Sequence, residues 1–248
     1  MKEITTEEAL RYNRQILMPG FDLERQERLL SSRALIIGGG GLGCSVAQFL
    51  CASGVGTLSV IDDDNVELTN LPRQILHTEA DVGKPKVASI KAALAMLNSK
   101  TKVIAINDRA IHSNLSSLVK EHDIVLDCSD NLETRNLINS LSYQFGVPLV
   151  SGAAIQMHGQ VFCSMPSEKS ACYACISRYF NAPNLSCMES GVMSPLVGII
   201  GATQAIEAIK ILSGFGKTAI NKLQLYDAMQ SEWQTINIKK HANCYVCN

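Results

Sequence analysis

The feature that most restricts what this chain can fold into is a glycine run between an apolar strand and a helix. Arg33 to Ile37 is a short apolar run that reads as a strand. It leads into Gly38-Gly39-Gly40-Gly41-Leu42-Gly43, and Leu42 to Ser53 reads as a helix. A strand, a Gly38-x-Gly40-x-x-Gly43 turn and a helix open a nucleotide-binding βαβ unit. Glycines let the backbone turn sharply and approach a phosphate closely, and the helix N-terminus offers free N–H donors and partial positive charge. A second strand is expected at Thr57 to Ile61, ending in Asp62-Asp63-Asp64, with Asp62 lying 24 residues after Gly38. A carboxylate at that place accepts hydrogen bonds from ribose hydroxyls. Gly38, Gly40, Gly41, Gly43 and Asp62 are thus candidate nucleotide contacts. A glycine turn needed only for packing is the plainer alternative; the strand, helix and acid, all in place, favour the nucleotide.

The alternation continues. A capping box at Thr5-Thr6-Glu7-Glu8 opens a first helix through about Leu17, and a second covers Asp22 to Leu30. Pro85 to Asn98 reads as a helix, Lys102 to Ile106 as a strand, Asn114 to Lys120 as a helix, Ile124 to Asp127 as a strand and Leu132 to Phe145 as a helix. Another strand starts at Pro148 to Val150. This is the pattern of an α/β fold with a doubly wound, mostly parallel sheet of Rossmann type. Beyond it the pattern changes. His158 to Met165 alternates like a strand, Pro195 to Leu212 is a long apolar helix capped by Ser194, and Lys222 to Tyr226 with Glu232 to Ile238 reads as a hairpin. The expectation is one continuous domain over 1–248: N-terminal helices at 1–31, a nucleotide-binding half at 32–150, and a C-terminal antiparallel extension at 151–248.

Asn70, Arg73, Gln74 and Lys86 form a polar, cationic set just beyond the second strand. A dinucleotide needs few charges there, whereas a triphosphate attracts Arg and Lys. Asp130 follows the fourth strand, where open α/β sheets bind ligands, and a hard carboxylate suits Mg²⁺. Each charge alone reads as a solvated surface residue; their clustering at strand ends favours the functional reading. An NAD(P)-dependent oxidoreductase remains the alternative from another class.

The chain also carries two Cys-x-x-Cys pairs, Cys172/Cys175 and Cys244/Cys247. A two-residue spacer lets one tight turn aim two thiolates at one ion, and two such turns complete a tetrahedral site with no open position. Structural Zn²⁺ is the expected occupant, fixing the C-terminal segment to the body of the protein. Disulfides and a redox Cys-x-x-Cys are the alternatives. Nine cysteines is an odd number, so at least one is free or intermolecular. Cys44, Cys51, Cys128 and Cys163 fall on expected core elements, and the five histidines show no metal spacing.

Composition excludes several classes. A net charge of −1 shows no basic nucleic-acid surface, and 46% hydrophobic with 18% charged residues is ordinary for a globular core. Gly191 to Ile206 is the longest weakly charged stretch and reads as too short and too polar to span a bilayer. The polar start, MKEITTEEALRYNRQ, lacks the apolar core of a signal peptide. A cytoplasmic protein is expected, with no nucleic-acid or membrane partner.

Taken in order, these segments carry a resemblance. They run Arg11-Tyr12-x-Arg14-Gln15, GGGGLG, Asp62-x-Asp64-x-Val66-x-x-x-Asn70-Leu71-x-Arg73-Gln74, Lys84-Pro85-Lys86, Asp127-Cys128-x-Asp130-Asn131 and Ser151-Gly152-Ala153-Ala154, then the two cysteine pairs. The chain resembles the MoeB/ThiF family, relatives of the ubiquitin-activating enzymes, over essentially its whole length. Ser151-Gly152-Ala153-Ala154-Ile155-x-Met157 and Gly191-Val192-Met193-x-Pro195-Leu196 favour the branch serving molybdopterin synthase, with the thiamine-pathway branch as runner-up. The resemblance implies that the C-terminal Gly-Gly carboxylate of a ubiquitin-like sulfur carrier attacks the α-phosphate of ATP. An acyl-adenylate forms and pyrophosphate leaves. It further implies that Asp62 holds the ribose, Asn70, Arg73 and Lys86 serve the phosphates, and Asp130 binds Mg²⁺. Arg14 is implied to reach the ATP of the other subunit of a homodimer. Cys187 sits near the thioester position of ubiquitin-activating relatives, although a buried structural cysteine is the simpler reading. Only Asn248 follows the second cysteine pair, so a separate protein is expected to supply sulfur. One departure is Gly39, where the family commonly has a bulkier apolar residue; the expectation is a looser loop. Gly198 and Gly201 in the long apolar helix imply close packing, with a dimer interface as one possibility.

Overall fold

The computed structural model describes residues 3–167, 169–178 and 191–248. Its strands are β1 Arg33–Ile37, β2 Thr57–Ile61, β3 Lys102–Ile106, β4 Ile124–Asp127, β5 Leu149–Ile155, β6 His158–Ser164, β7 Lys222–Asp227 and β8 Glu232–Asn237. They form one sheet in the order β3-β2-β1-β4-β5-β6-β7-β8. The first five pair in parallel and the last three add antiparallel strands. The helices are α1 Thr6–Arg11, α2 Asn13–Ile16, α3 Leu23–Ser31, α4 Gly41–Ala52, α5 Lys86–Leu97, α6 His112–Lys120, α7 Leu132–Phe145, α8 Tyr173–Ser177 and α9 Ser194–Ser213.

The parallel strands are buried on both faces, which is why they read as continuous apolar runs. Along β1, Ala34 and Ile36 join a core with Val46, Ala47 and Leu50 of α4, Ile90 and Leu94 of α5, and Ile200 of α9. Leu35 and Ile37 point the other way, into a core with Leu115 and Val119 of α6 and Ile138 and Leu141 of α7. A third cluster lies on the antiparallel extension. There Phe162 and Leu223 pack with α8 and the four cysteines of the Cys-x-x-Cys pairs.

Element ends differ from the sequence expectation where side chains compete for the backbone. The first helix breaks at Tyr12, whose ring packs against Gly54 and whose hydroxyl accepts from Asn98 Nδ2 at 2.9 Å. The helix expected from Asn114 starts at His112, because Asn114 Oδ1 accepts the Ile111 N–H at 3.0 Å. Pro85 lies outside α5, at its N-cap. Ser194 lies inside α9, with Met193 at the cap, and its hydroxyl donates to the Pro72 carbonyl. The apolar segment around α9 is also longer than the sequence reading allowed: Ser194–Ser213 has the length and hydropathy of a membrane span. It is spent on the core instead, with Leu196, Val197, Ile200, Gly201, Gln204, Ala205 and Ala208 buried.

Candidate active site and four-cysteine cluster

Strand register brings the site together. Ile37, the last residue of β1, pairs with Ile61 of β2 on one side and Asp127 of β4 on the other. Asp127 in turn pairs with Ser151 of β5. Gly38, Asp62 and Cys128, just past the ends of β1, β2 and β4, are therefore level with Gly152 inside β5. Strand order reverses between β1 and β4, and such a switch point opens a crevice at the carboxyl ends of the strands.

The glycine loop fits this place tightly. Gly38 has φ +98°, and a Cβ there would lie 2.7 Å from the Cys128 carbonyl oxygen. A Cβ on Gly43 would sit 1.9 Å from the Gly38 carbonyl, and one on Gly41 would sit 2.6 Å from Val197 Cγ1. Gly40 is the N-cap of α4 and has no side chain to occupy the free N–H groups of the first turn. The loop is not loosened at Gly39. The Gly39 N–H donates to Asp62 Oδ2 at 2.6 Å, and a Cβ would meet Ile90 Cδ1 at 3.1 Å.

Asp62 is thus anchored by the loop, and its other oxygen accepts from the Asp64 N–H at 2.9 Å. Burial raises its carboxyl above the ordinary value; Lys86 and the two N–H donors pull the other way. Lys86 is nearly buried, and its Nζ pairs with Asp64 Oδ2 at 2.6 Å. Asn70 is buried and Oδ1 accepts the Glu67 N–H at 3.1 Å, closing a short turn. That turn presents Arg73, whose exposed guanidinium donates to the Thr69 carbonyl at 2.9 Å. Arg73 also borders the loop, since a Cβ on Gly41 would lie 2.9 Å from its carbonyl oxygen. Buried Gln74 leaves its Oε1 without a partner. Asp130 is exposed just past β4. The arrangement brings together the N–H groups at the start of α4, a loop-anchored carboxylate at Asp62, two cations at Arg73 and Lys86, and an exposed carboxylate at Asp130 whose Oδ1 lies 3.5 Å from Asn131 Nδ2.

Arg14 does not join this group. It is exposed on α2, and its neighbour Gln15 donates to the Ser53 carbonyl at 3.1 Å, at the C-terminal end of α4. The glycine loop is at the other end of that helix, roughly 18 Å away for twelve residues at 1.5 Å each.

Cys172, Cys175, Cys244 and Cys247 do converge. Their sulfurs lie within 4.8 Å of one another and all four are buried. The close approaches run across the pairs, Cys172 to Cys244 and Cys175 to Cys247, both 3.5 Å. Sulfurs at about 2.3 Å from one tetrahedral ion stand about 3.8 Å apart, so the cluster fits a single Zn²⁺. The His241 N–H donates to Cys175 Sγ at 3.4 Å, as donors do toward metal-bound thiolates. Cys44, Cys128 and Cys163 are buried thiols whose surroundings raise their pKa, Cys44 to about 12, which suits packing and not reactivity. Cys187 lies outside the described residues.

A family model described as the ThiF family matches residues 12–246. The chain belongs to the ThiF family. It is 47% identical over its whole length to the molybdopterin-synthase adenylyltransferase of Escherichia coli K12, covering 99% of that protein. It is 40% identical to the sulfur carrier protein ThiS adenylyltransferase of the same organism, over 96% of this chain and 94% of that one. Among solved structures, the microcin C7 biosynthetic enzyme MccB in complex with N-formylated MccA aligns with TM-score 0.85 and 25% identity, over 96% of this chain and 75% of that one.

Within this ThiF-family chain, the sequence reading missed a buried network beside the site. Asp127, Ser129, Arg135 and Ser151 lie under the end of β4, all buried. Asp127 belongs to a strand-end motif legible in the sequence, whereas Arg135 belongs to none. Its only sequence signal is a cation one turn into a helix that follows a strand-end acid. Asp64 is part of the motif that follows β2, but its pattern assigns it no role; the fold sets it beside Lys86.

Proposed function

We propose that the chain adenylates the C-terminal carboxylate of a ubiquitin-like sulfur carrier ending in Gly-Gly, the small subunit of molybdopterin synthase, using MgATP. The observation that carries this reading is the full-length likeness to a molybdopterin-synthase adenylyltransferase, with the glycine loop, Asp62, Arg73, Lys86 and Asp130 meeting at one switch point. In this reading the loop N–H groups and the α4 N-terminus receive phosphate oxygens, and Asp62 accepts from the ribose. Lys86 exchanges exposed Asp64 for a phosphate, so its charge faces the pyrophosphate as it leaves. Arg73 turns from the Thr69 carbonyl to the same end. Asn70 fixes the turn that carries Arg73. Asp130 is the exposed carboxylate that would hold the Mg²⁺ that accompanies ATP and neutralises its phosphates. Attack needs alignment and charge stabilisation more than covalent help from the protein.

Arg14 completes a site only in a dimer. Its place at the far end of α4 keeps it from its own loop, so its guanidinium serves the partner's ATP. The four cysteines hold a structural Zn²⁺: four thiolates fill its coordination sphere and leave it no catalytic position.

The test is ATP–pyrophosphate exchange with Mg²⁺, run with molybdopterin-type and thiamine-type carriers. Exchange that depends on the molybdopterin-type carrier is expected. Exchange with the thiamine-type carrier alone keeps the chemistry and overturns the choice of carrier. A folded, zinc-loaded protein that exchanges with neither overturns the reading.

A further inference from the structure

Arg135 is a cation buried one turn into α7, and both of its terminal guanidinium nitrogens are directed to the floor of the site. Nη1 faces Asp127 Oδ2 at 3.4 Å and donates to Ser151 Oγ at 3.1 Å. Nη2 donates to the Gly152 carbonyl at 2.8 Å and to the Ser129 carbonyl. Asp127 is saturated from the other side, by Ser129 Oγ and Ser151 Oγ, both at 2.6 Å. The guanidinium also lies 6.0 Å from the Tyr173 ring centroid, between the first two cysteines of the metal cluster. Further along the same face of α7, Asn139 Oδ1 accepts the Tyr173 N–H at 2.7 Å and the Tyr143 hydroxyl donates to the Cys247 carbonyl at 3.0 Å.

A buried ion pair adds little stability over apolar residues of the same volume. What Arg135 adds is geometry, because one planar fork holds two carbonyls and two side chains from separate segments. Ser129, which it grips by the carbonyl, is the residue before Asp130. Cys128 abuts Gly38 with no room for a methyl group, so a shift of this turn also moves the glycine loop.

We propose that Arg135 is a positioning residue for the reaction: it fixes the Asp127–Asp130 turn, and thereby Asp130, and ties that turn to the four-cysteine module through Tyr173. This rests on the adenylation reading above.

The test compares wild type with Arg135→Lys and Arg135→Met, and with Lys210→Met, which breaks a different, half-buried pair, Lys210–Glu207 on α9. Readouts are zinc content, maximal ATP–pyrophosphate exchange, the MgATP and Mg²⁺ concentrations at half-maximal rate, and the calorimetric Kd for MgATP. Arg135→Lys keeps the charge but cannot span the four partners. Misplacement of about 1 Å costs roughly 100-fold in rate, so a fall of that order is expected with zinc retained and the Kd and both half-saturating concentrations raised about tenfold. Lys210→Met is expected to stay within about threefold of wild type once folded. A mere loss of folded enzyme would lower the maximal rate and leave the half-saturating concentrations and Kd in place; that result overturns the proposal. So does a folded Arg135→Lys with wild-type affinity and rate, which carries the test even where Arg135→Met fails to fold. Wild type without exchange on any carrier would instead overturn the adenylation reading, and the calorimetric comparison would still judge Arg135.

Discussion

Replacing Gly198 and Gly201 one at a time by alanine is expected to change stability in opposite directions, although both lie within one turn of α9. In a helix interior, alanine is favoured over glycine by about 1 kcal/mol, because glycine loses more backbone freedom. At Gly198 nothing opposes that gain: the nearest atom to an added Cβ is Ser45 Oγ at 4.0 Å. Gly198→Ala should therefore stabilise the chain by roughly 0.5–1 kcal/mol. At Gly201 the same methyl group meets Ser45 Cβ at 2.5 Å and the Leu42 carbonyl oxygen at 2.9 Å. Neither atom is the end of a flexible side chain. Ordinary carbon contacts lie at about 3.5–4.0 Å, so α9 and α4 must part by about 1 Å. Overpacking of this kind costs about 1–3 kcal/mol, near the upper end against rigid atoms, which leaves a net destabilisation of about 2 kcal/mol after the helix gain. Because α4 carries the glycine loop at its N-terminus, Gly201→Ala should also lower exchange about tenfold or more. Urea unfolding of the zinc-loaded proteins measures the first effect and ATP–pyrophosphate exchange the second. Shifts of the same sign, or a Gly201→Ala protein as stable as wild type, would refute the close helix crossing on which the argument stands.

Cys244→Ser should lower bound zinc from about one ion per chain to a small fraction and open the segment after Ile238 to protease, read by metal analysis and limited proteolysis. Mixing Arg14→Ala with Asp130→Ala should restore about a quarter of wild-type exchange: half the dimers are mixed, and each of those holds one intact site of two. Activity of Arg14→Ala alone near wild type, or no recovery on mixing, would remove the shared site. Burial holds the Asp62 carboxyl above 3.8. The folded chain then keeps this proton where the unfolded chain has lost it, so its contribution is full below 3.8 and is lost as pH rises through the raised value. Asp62→Asn should remove that fall, gaining on wild type as pH rises from about 4, measured by urea midpoints across pH. Parallel curves for the two proteins would contradict the assigned burial.

The strands, the glycine loop, Asp62 and the cysteine pairs were legible because each rests on local pattern. Continuous apolar runs mark strands buried on both faces, and Cys-x-x-Cys is a chelating turn in itself. Other features were not legible. Tyr12 breaks a helix that its neighbours favour, because its hydroxyl and ring find partners at Asn98 and Gly54. Arg135 has the same composition and spacing as an exposed helix arginine; only the position of α7 over the sheet puts it beneath Asp127.

By itself, then, the sequence determined which segments become strands and helices, where the chain can approach a phosphate, and which four sulfurs can share a metal. These follow from side-chain size, periodicity and ligand chemistry within a few residues. Only the tertiary structure decided that Ile37, Ile61 and Asp127 end level, so that Asp62 and Asp130 border one loop. It also decided that Lys86 rests on Asp64, that Gly201 touches α4 while Gly198 does not, and that Arg14 lies a helix length from the loop of its own chain. Each of these is a distance between segments far apart in sequence, set by sheet register and by the packing of helices on it, and no local pattern encodes such a distance.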